Sequence, residues 1–392
     1  MAEFGCLYSE VLLTRNAWEK RKLGELAEFI NGRAYKQDEL LASGKYPVLR
    51  VGNFYTNDKW YYSDLELPEK YYAEKGDLLY TWSATFGPHI WIGPKVIYHY
   101  HIWKVALKNL FEKDFALQFF EADRVRLLNS TNGSTMIHVT KKEMESKGIL
   151  LPDISEQRNI GELLRKADDL IAATQRRIDD LEQVEKTLLQ HLFDQSWRFN
   201  VYSDPWVKSK VANMAKENFG GGTPSTKKRS FWTGSLPWIQ SSDLDKSNKY
   251  TVIPKKFISS AALKSSAAKK VPSNSIAVVT RVGVGKLAFI NYDYATSQDF
   301  LSFSFLNWSA FFSVNLLTRV MEQMSNEGQG TSIKGVTKSE LLAKSVLIPT
   351  SLEEQTSISN LLKSFDDLIK STSNRLSKLE LLKTSLLKNL FV

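Results

Sequence analysis

The chain has 392 residues, of which 43% are hydrophobic and 24% charged, and its formal net charge is +9. This length and apolar content suffice for two or three domains with cores of their own, which excludes a chain disordered throughout. The longest apolar runs fall well short of a membrane span, and the single cysteine, Cys6, cannot form an internal disulfide. We therefore expect a cytoplasmic protein without a membrane partner.

The first block of the chain, residues 18–152, follows a lead-in of residues 1–17 and has a mixed α and β pattern. Turn residues separate short apolar runs that predict strands, and a helical pattern comes late, at residues 110–127. The predicted strands are residues 46–51, 77–82 and 97–105. Because helices and strands do not alternate, we expect an α+β domain without regular βαβ winding.

A long amphipathic helix is predicted over residues 153–193. Pro152 and the acidic Glu156 mark its start, and apolar residues recur at intervals of three and four. A helix of ~57 Å with one apolar stripe needs a partner along its length. The predicted pairing positions are Ile160, Leu164, Ile171, Thr174, Ile178, Leu181 and Leu188.

A linker, residues 194–205, leads to a second block, residues 206–349, which contains most of the excess positive charge. From residue 194 to 349 there are 20 Lys and Arg against 10 Asp and Glu, whereas residues 1–152 have 20 against 19. Such a concentration of cations favours contact with phosphates, although a solvated basic face would have the same composition. Strands are predicted at residues 275–280 and 286–290, and a helix at residues 310–324.

The last segment, residues 350–392, repeats the first long helix. Glu156-Gln157 through Phe193 recurs 198 residues later as Glu354-Gln355 through Phe391. The adjacent acids Asp168-Asp169 and Asp366-Asp367 recur too, but neighbours on a helix point about 100° apart, so we expect a solvated face or a partner contact there. The pairing positions of the second helix are Ile358, Leu362, Ile369, Thr372, Leu376, Leu379 and Leu386.

The repeat makes the two long helices natural partners for each other. The block between them is long enough to allow parallel or antiparallel pairing. Thr174 and Thr372 interrupt the apolar seams near their midpoints. In an antiparallel pair these two threonines would lie in nearly the same layer, where a polar pair can set the register, so we expect an antiparallel coiled coil.

The order of these parts resembles the specificity subunit of type I restriction-modification systems. The resemblance covers nearly the whole chain, and it depends on an opening motif, the repeated junctions between blocks and helices, and a glycine-rich segment of the second block. These are Trp18-Glu19-Lys20-Arg21-Lys22-Leu23-Gly24-Glu25, Leu151-Pro152 with Glu156-Gln157, Gly221-Gly222-Thr223-Pro224-Ser225-Thr226-Lys227 and Leu236-Pro237-Trp238-Ile239. The first block departs from this pattern, because it has Asn31-Gly32-Arg33-Ala34-Tyr35 in place of the glycine-rich segment.

The resemblance implies a non-catalytic DNA reader. It implies two target-recognition domains alternating with two paired helices in a pseudo-twofold internal repeat, each domain reading one half of a bipartite asymmetric target in double-stranded DNA. The helices would set the spacing and dock two methyltransferase subunits, to which restriction and translocase subunits are added. No cofactor is then expected on this chain, since S-adenosylmethionine, ATP and Mg would belong to partner subunits.

Candidate DNA contacts follow from loops that combine glycine with hydroxyl and basic side chains. Such groups can donate hydrogen bonds to phosphates and to base edges, and an arginine such as Arg33 can bind guanine through two hydrogen bonds. An ordinary turn would have the same residues. The candidates are Arg33, Tyr35, Lys36, Thr81, Trp82, Ser83, Thr223, Ser225, Thr226, Lys227, Lys228, Arg281 and Lys334. Of these, Trp82 also fits the rim of a core.

Two other functions are compatible with parts of the sequence. A self-contained DNA methyltransferase or nuclease would need its own cofactor loop or metal site, but Pro224 follows the glycines where a strand-to-helix turn is required. The pair His99 and His101 has the spacing of two side chains on one strand face, which fits packing better than metal binding. A coiled-coil scaffold without a DNA role is the remaining alternative.

Overall fold

The computed structural model describes residues 18–55, 57–83, 85–130, 139–245, 248–327 and 335–391. The chain forms two compact units, one of residues 1–176 with 373–392 and one of residues 177–372. The boundary cuts both long helices, so each unit combines a globular region with parts of both. None of the helices in these ranges is both long and apolar enough to span a membrane.

The globular region of the first unit is a mixed α and β domain. Its strands are β1 (Glu19–Lys22), β2 (Ala27–Asn31), β3 (Tyr46–Leu49), β4 (Tyr61–Ser63), β5 (Tyr72–Ala73), β6 (Leu78–Thr81), β7 (Gly87–Ile90), β8 (Val96–Tyr98), β9 (Ile102–Leu107) and β10 (Gly148–Leu151). Its helices are α1 (Leu23–Leu26), α2 (Lys113–Ser130) and α3 (Lys141–Ser146). The strands form sheets in the orders β2-β9-β6-β7, β4-β3-β8-β5 and β1-β10.

The core of this region lies between the β2-β9-β6-β7 sheet and α2. Phe29 and Trp103 from neighbouring strands meet edge to face with ring centroids 5.4 Å apart, and Tyr80 stacks on Trp103 at 5.9 Å. Phe120 of α2 closes on Phe29 at 6.0 Å. All four rings are almost fully buried. Burial of aromatic surface on this scale explains why the region folds around its sheet.

One predicted strand is wrong. Residues 97–105 do not form a continuous strand, because β8 ends at Tyr98 and β9 begins at Ile102. The chain turns between them so that β8 can pair in parallel with β3, whereas β9 pairs antiparallel with β2 and β6. His99 and His101 therefore lie in a turn and not on a strand face.

The globular region of the second unit repeats this arrangement. Its strands are β11 (Val207–Lys210), β12 (Ala215–Gly220), β13 (Leu236–Ile239), β14 (Lys256–Ile258), β15 (Ser275–Val279), β16 (Leu287–Ile290), β17 (Ala295–Thr296), β18 (Phe300–Leu306) and β19 (Ser345–Ile348). The first long helix, α4 (Ile154–Phe193), precedes them, and among them lie α5 (Ser260–Ser265), α6 (Ala310–Glu327) and α7 (Lys338–Ala343). The order β12-β18-β15-β16 corresponds to β2-β9-β6-β7, and β14-β13-β17 and β11-β19 complete the sheets.

The two long helices are α4 (Ile154–Phe193) and α8 (Leu352–Phe391), each of 40 residues. Asp153 caps α4, its Oδ1 accepting from the backbone nitrogens of Ser155 and Glu156 at 2.8 and 3.0 Å. Ser351 caps α8 in the same way, its Oγ accepting from Glu353 and Glu354 at 3.1 and 3.3 Å. Each cap satisfies backbone donors that a helix start leaves without partners.

The repeated Glu-Gln pairs fasten each long helix to a globular region. In the first unit, Trp18 Nε1 donates to Glu156 Oε1 at 3.1 Å, and Gln157 Oε1 accepts from the backbone of Glu112 at 2.9 Å. The second unit repeats both bonds. Trp206 Nε1 donates to Glu354 Oε1 at 3.0 Å, and Gln355 Oε1 accepts from Ser309 at 2.8 Å. The repeat in sequence is therefore a repeat of a specific junction.

Within each unit, parts of both long helices contact the same core. In the first unit, Phe391 of α8 lies 5.2 Å from Phe115 of α2, and Lys383 of α8 pairs with Asp168 of α4. In the second unit, Phe193 of α4 lies 5.4 Å from Phe312 of α6.

The predicted pairing positions are all buried or half-buried, including both threonines. Thr174 Oγ1 donates to the carbonyl of Leu170 at 2.6 Å, and Thr372 Oγ1 donates to that of Leu368 at 2.7 Å. Each hydroxyl is therefore satisfied by its own helix. A polar pair between the two threonines stays a prediction.

Candidate nucleic-acid interface

In the second unit, three backbone hydrogen bonds bring distant segments together around a turn of residues 297–299. The glycine-rich segment contributes Gly222 N, which donates to Thr296 O at 2.9 Å. The end of β15 contributes Thr280 N, which donates to Asp299 O at 2.8 Å. The segment before α7 joins through Val336 N, which donates to Thr280 O at 2.8 Å. Segments far apart in sequence thus meet at one place, which we call turn 297–299.

The first unit builds the same turn at residues 99–101. Arg33 N donates to Tyr98 O at 3.0 Å, Trp82 N to His101 O at 3.2 Å and Val139 N to Trp82 O at 3.5 Å. These bonds make Trp82 the counterpart of Thr280, and therefore Ser83 the counterpart of Arg281. Turn 99–101 and turn 297–299 occupy equivalent places in the two globular regions.

Glycine is required where the backbone of another segment approaches each turn closely. A Cβ at Gly221 would lie 1.8 Å from the carbonyl oxygen of Ser297, and one at Gly32 would lie 2.2 Å from that of Tyr98. A Cβ at Gly222 would lie 2.3 Å from the backbone of Ala267. Because a side chain has no space at these positions, close backbone approach explains the glycines that the sequence shows.

Turn 297–299 borders an open groove of about 700 Å³ in the second unit. Arg281 is exposed and lines this groove, as do Gln298 and Lys338. Thr223, also exposed, donates its hydroxyl hydrogen to Gln298 Oε1. The groove thus brings Arg281 and the glycine-rich segment together, and it adds two polar residues, Gln298 and Lys338, that the sequence analysis did not identify.

The rest of the glycine-rich loop presents its polar side chains to solvent. Ser225, Thr226, Lys227 and Lys228 are all exposed. The backbone holds the loop in place, since the carbonyl of Ser225 accepts from the indole of Trp232 at 3.1 Å and from Lys228 N at 3.2 Å. This anchored, cationic loop has the chemistry of a phosphate contact.

In the first unit, Arg33 is held by its neighbours. Its guanidinium pairs with Glu39 at 2.6 Å and lies over the ring of Tyr35, 4.4 Å from the centroid. The hydrogen bond from Arg33 lowers the pKa of the Glu39 carboxyl, and burial raises the pKa of Tyr35. Arg33 would have to exchange Glu39 for a base edge to bind guanine. Lys36 remains exposed.

Aromatic rings surround turn 99–101. Trp82 donates its indole hydrogen to the carbonyl of Tyr100 at 2.9 Å and lies 5.1 Å from the ring of His101. The rings of His99 and His101 are 5.1 Å apart, so they are packed neighbours. Burial, and then the charges of His101 and Arg50, lower the pKa of His99 to about 4, which keeps it neutral at pH 7.

The remaining predicted contacts differ in accessibility. Thr81 is fully buried, because it ends a central strand and donates its hydroxyl hydrogen to the carbonyl of Gly87 at 3.2 Å. Contrary to the prediction, it has no surface to present to DNA in this conformation. Trp82 and Ser83 are half-buried. Lys334 lies outside the described residues.

A catalytic metal centre would need a cluster of ligands. Among the residues that the structure describes, no group of three or more His, Cys, Asp or Glu side chains is placed to hold a metal ion.

The sequence matches the family model described as type I restriction modification DNA specificity domain twice, over residues 16–183 and 203–381. Two curated relatives come from Methanocaldococcus jannaschii. The MjaVIII specificity subunit is 29% identical over 180 residues, 45% of this chain and 42% of that protein, and the putative MjaX specificity subunit is 21% identical over 90% of this chain and 87% of that one. The chain thus spans less than half the length of the MjaVIII subunit.

Solved structures show the same fold. The S subunit of a type I restriction-modification system from M. genitalium superposes with a TM-score of 0.61 at 13% identity, covering 96% of both chains. A chain from a structural study of complex assembly and conformational transition in the type I restriction-modification system gives 0.61 at 15% identity, covering 95% of this chain and 97% of that one.

Proposed function

Because the chain belongs to the type I restriction-modification DNA specificity family, we propose that it selects the DNA target of a restriction-modification complex. The observation that carries this proposal is the repeated turn with different residues. Turn 99–101 consists of His, Tyr and His, whereas turn 297–299 consists of Ser, Gln and Asp on an equivalent backbone, and the exposed residue is Tyr100 in one and Gln298 in the other. Two equal frameworks with unlike side chains suit a target whose two halves differ in sequence.

The two recognition surfaces differ in charge as well. In the second unit Lys227, Lys228 and Arg281 are exposed, whereas Arg33 in the first unit is paired with Glu39. The second globular region therefore contributes most of the attraction to DNA phosphates, and the first contributes more through packing and hydrogen bonds.

The long helices form an antiparallel coiled coil in this proposal, and their length sets the distance between the half-sites. Contacts within each unit support the antiparallel direction. In the first unit, Lys383 lies beside Asp168, while Phe391 packs on Phe115, whose backbone approaches Gly161. Residue numbers therefore increase along α8 in the direction in which they decrease along α4. Two helices of 40 residues extend over ~60 Å, longer than one turn of DNA.

The chain itself performs no chemistry in this proposal. It docks two methyltransferase subunits, which hold S-adenosylmethionine, and the complex takes up restriction subunits that use ATP and Mg. Its place of action is the cytoplasm, where the DNA of a cell with such a system lies.

The proposal is tested by sequencing the methylome of cells that express the methyltransferase partner with or without this chain. A bipartite, asymmetric methylated motif should appear only when the chain is present. Exchanging residues 206–349 for the corresponding block of another family member should change one half of the motif only. The purified chain incubated alone with S-adenosylmethionine should methylate nothing, and activity in that sample, or a change in both half-sites, would contradict the proposal.

A further inference from the structure

Turn 297–299 exposes a single side chain at the edge of the groove. Ser297 is buried, its backbone nitrogen donating to Ile239 O at 2.9 Å and its Oγ to Asp299 Oδ2 at 3.1 Å. Asp299 is half-buried, and its carbonyl accepts from both the backbone nitrogen and Oγ1 of Thr280, at 2.8 and 3.1 Å. Gln298 between them is exposed and lines the groove. These hydrogen bonds hold the backbone of the turn in place, and Gln298 is the side chain that it exposes.

We propose that Gln298 is a specificity-determining residue that reads an adenine in the half-site bound by the second unit. This inference rests on the proposed function and names one residue and one base within it. A carboxamide is the side chain whose donor and acceptor match the major-groove edge of adenine, since its oxygen accepts from N6 and its nitrogen donates to N7.

Thr223 orients the carboxamide for this task. Its hydroxyl donates to Gln298 Oε1, which leaves Nε2 with both its hydrogens and the oxygen with a second lone pair. The amide therefore keeps its N–H donors and one acceptor site available on a side chain whose rotamer is already restricted. Restricting a side chain before binding reduces the entropy that binding must remove, and this favours discrimination.

The residues that line the groove differ in whether they suit DNA phosphates or base edges. Arg281 and Lys338 line the same groove and carry the positive charge that phosphates require, whereas Gln298 is neutral. Loss of Gln298 should therefore change which base is accepted and leave the attraction to DNA largely in place. The counterpart in the first unit is Tyr100, whose single hydroxyl oxygen cannot form the two parallel hydrogen bonds that a carboxamide forms with N6 and N7 of adenine. The two half-sites should accordingly differ at the base that faces each turn.

The experiment uses the full chain assembled with its methyltransferase partner. Methylation is measured on duplexes carrying the methylome-defined motif and on duplexes with each base pair of the second unit's half-site substituted. The Gln298→Ala complex should lose roughly ten- to a hundredfold of the discrimination at one A·T pair and keep the rest of the motif. Thr223→Val should show the same change at the same base pair, to a smaller degree.

Gln323→Ala is the matched control, because Gln323 is an exposed glutamine on α6 of the same unit that does not line the groove. It should leave the motif unchanged. An unaltered motif with Gln298→Ala, a change confined to a G·C pair, or a change in the other half-site would overturn the inference. A wild-type complex that shows no motif at all would instead contradict the proposed function.

Discussion

Lys383 forms an ion pair with Asp168 in the first unit, whereas the residues at the same positions of the repeat in the second unit, Glu185 and Asp366, are both acids. The neighbouring amides correspond as well. Gln118 of α2 donates to Asp168 Oδ2 at 2.9 Å, and Asn315 of α6 lies fully buried beside Tyr250, its Nδ2 3.4 Å from the hydroxyl. In the first unit a lysine thus neutralises the aspartate, whereas in the second unit two acids face each other and one of them tends to bind a proton.

The acid pair predicts a pH-dependent stability. Burial, and then the charge of Asp366, raise the pKa of Glu185 to about 7. The folded chain therefore keeps a proton that the unfolded chain releases near its ordinary pKa of about 4.3. This contribution to the free energy of unfolding is present at low pH and is lost as the pH rises through about 7.

The measurement is urea unfolding at about pH 5.5 and about pH 8. Glu185→Gln should reduce the difference in unfolding free energy between the two pH values. Asp180→Asn, an exposed position on the same helix, should leave that difference as in the wild type. An equal pH dependence in wild type and Glu185→Gln would show that Glu185 does not hold the proton.

Reversing the charge at Lys383 should give the first unit a similar pH-dependent contribution to the free energy of unfolding. Lys383→Glu places an acid beside Asp168 and should lower the free energy of unfolding by about 1–3 kcal/mol at pH 8, because Asp168 loses its cation. The loss should be smaller at about pH 5.5, where the new acid can bind a proton. Lys378→Glu, an exposed change of equal charge on α8, should cost less than about 0.5 kcal/mol. Equal losses in the two variants would contradict the ion pair's role.

Two adjacent glycines should respond differently to alanine. A Cβ at Gly221 would overlap the carbonyl oxygen of Ser297, whereas a Cβ at Gly220 would meet no atom within 4 Å. We expect Gly221→Ala to lower the free energy of unfolding by about 1–3 kcal/mol, and Gly220→Ala to change it by less than about 0.5 kcal/mol. Thermal or urea unfolding measures both. A Gly221→Ala chain of wild-type stability would mean that turn 297–299 can move away at little cost.

The cationic loop should determine how DNA binding depends on salt. Each of Lys227→Ala and Lys228→Ala should reduce the slope of log K against log salt by about 0.9, because one fewer counterion is released from the DNA. Binding of a non-specific duplex by the assembled complex, measured by fluorescence anisotropy over a salt series, gives this slope. Lys378→Ala, an exposed lysine of α8, serves as the control. If the loop variants had the same slope as the wild type, the loop would not contact DNA phosphates.

Much of this architecture could be predicted from the residues alone. The copy of Glu156-Gln157 at Glu354-Gln355 is visible in the sequence, and the three-and-four spacing of apolar residues predicts both long helices. These features are local or repeated, so they do not depend on knowing which distant segments meet. Basic composition likewise identified the exposed loop of Lys227 and Lys228 as a candidate for phosphate contact.

What the sequence could not predict depends on pairings between distant segments. Residues 97–105 have the apolar pattern of one strand, but the parallel pairing of β8 with β3 requires a turn at 99–101. Thr81 comes near the end of a predicted strand, where a side chain could have reached the surface, yet the neighbouring strands on both sides bury it. Gln298 had no motif to mark it, because its role depends on Thr223, 75 residues earlier.

The spacing of apolar residues and the internal repeat are properties of the sequence itself, and they alone determined that two similar blocks alternate with two similar helices. Tertiary structure decided which side chain stands in each turn and whether Asp168 or Asp366 meets a cation or an acid. The physical reason is that burial and charge pairing depend on distance in space, and residues 215 positions apart, such as Lys383 and Asp168, come together only when the chain folds.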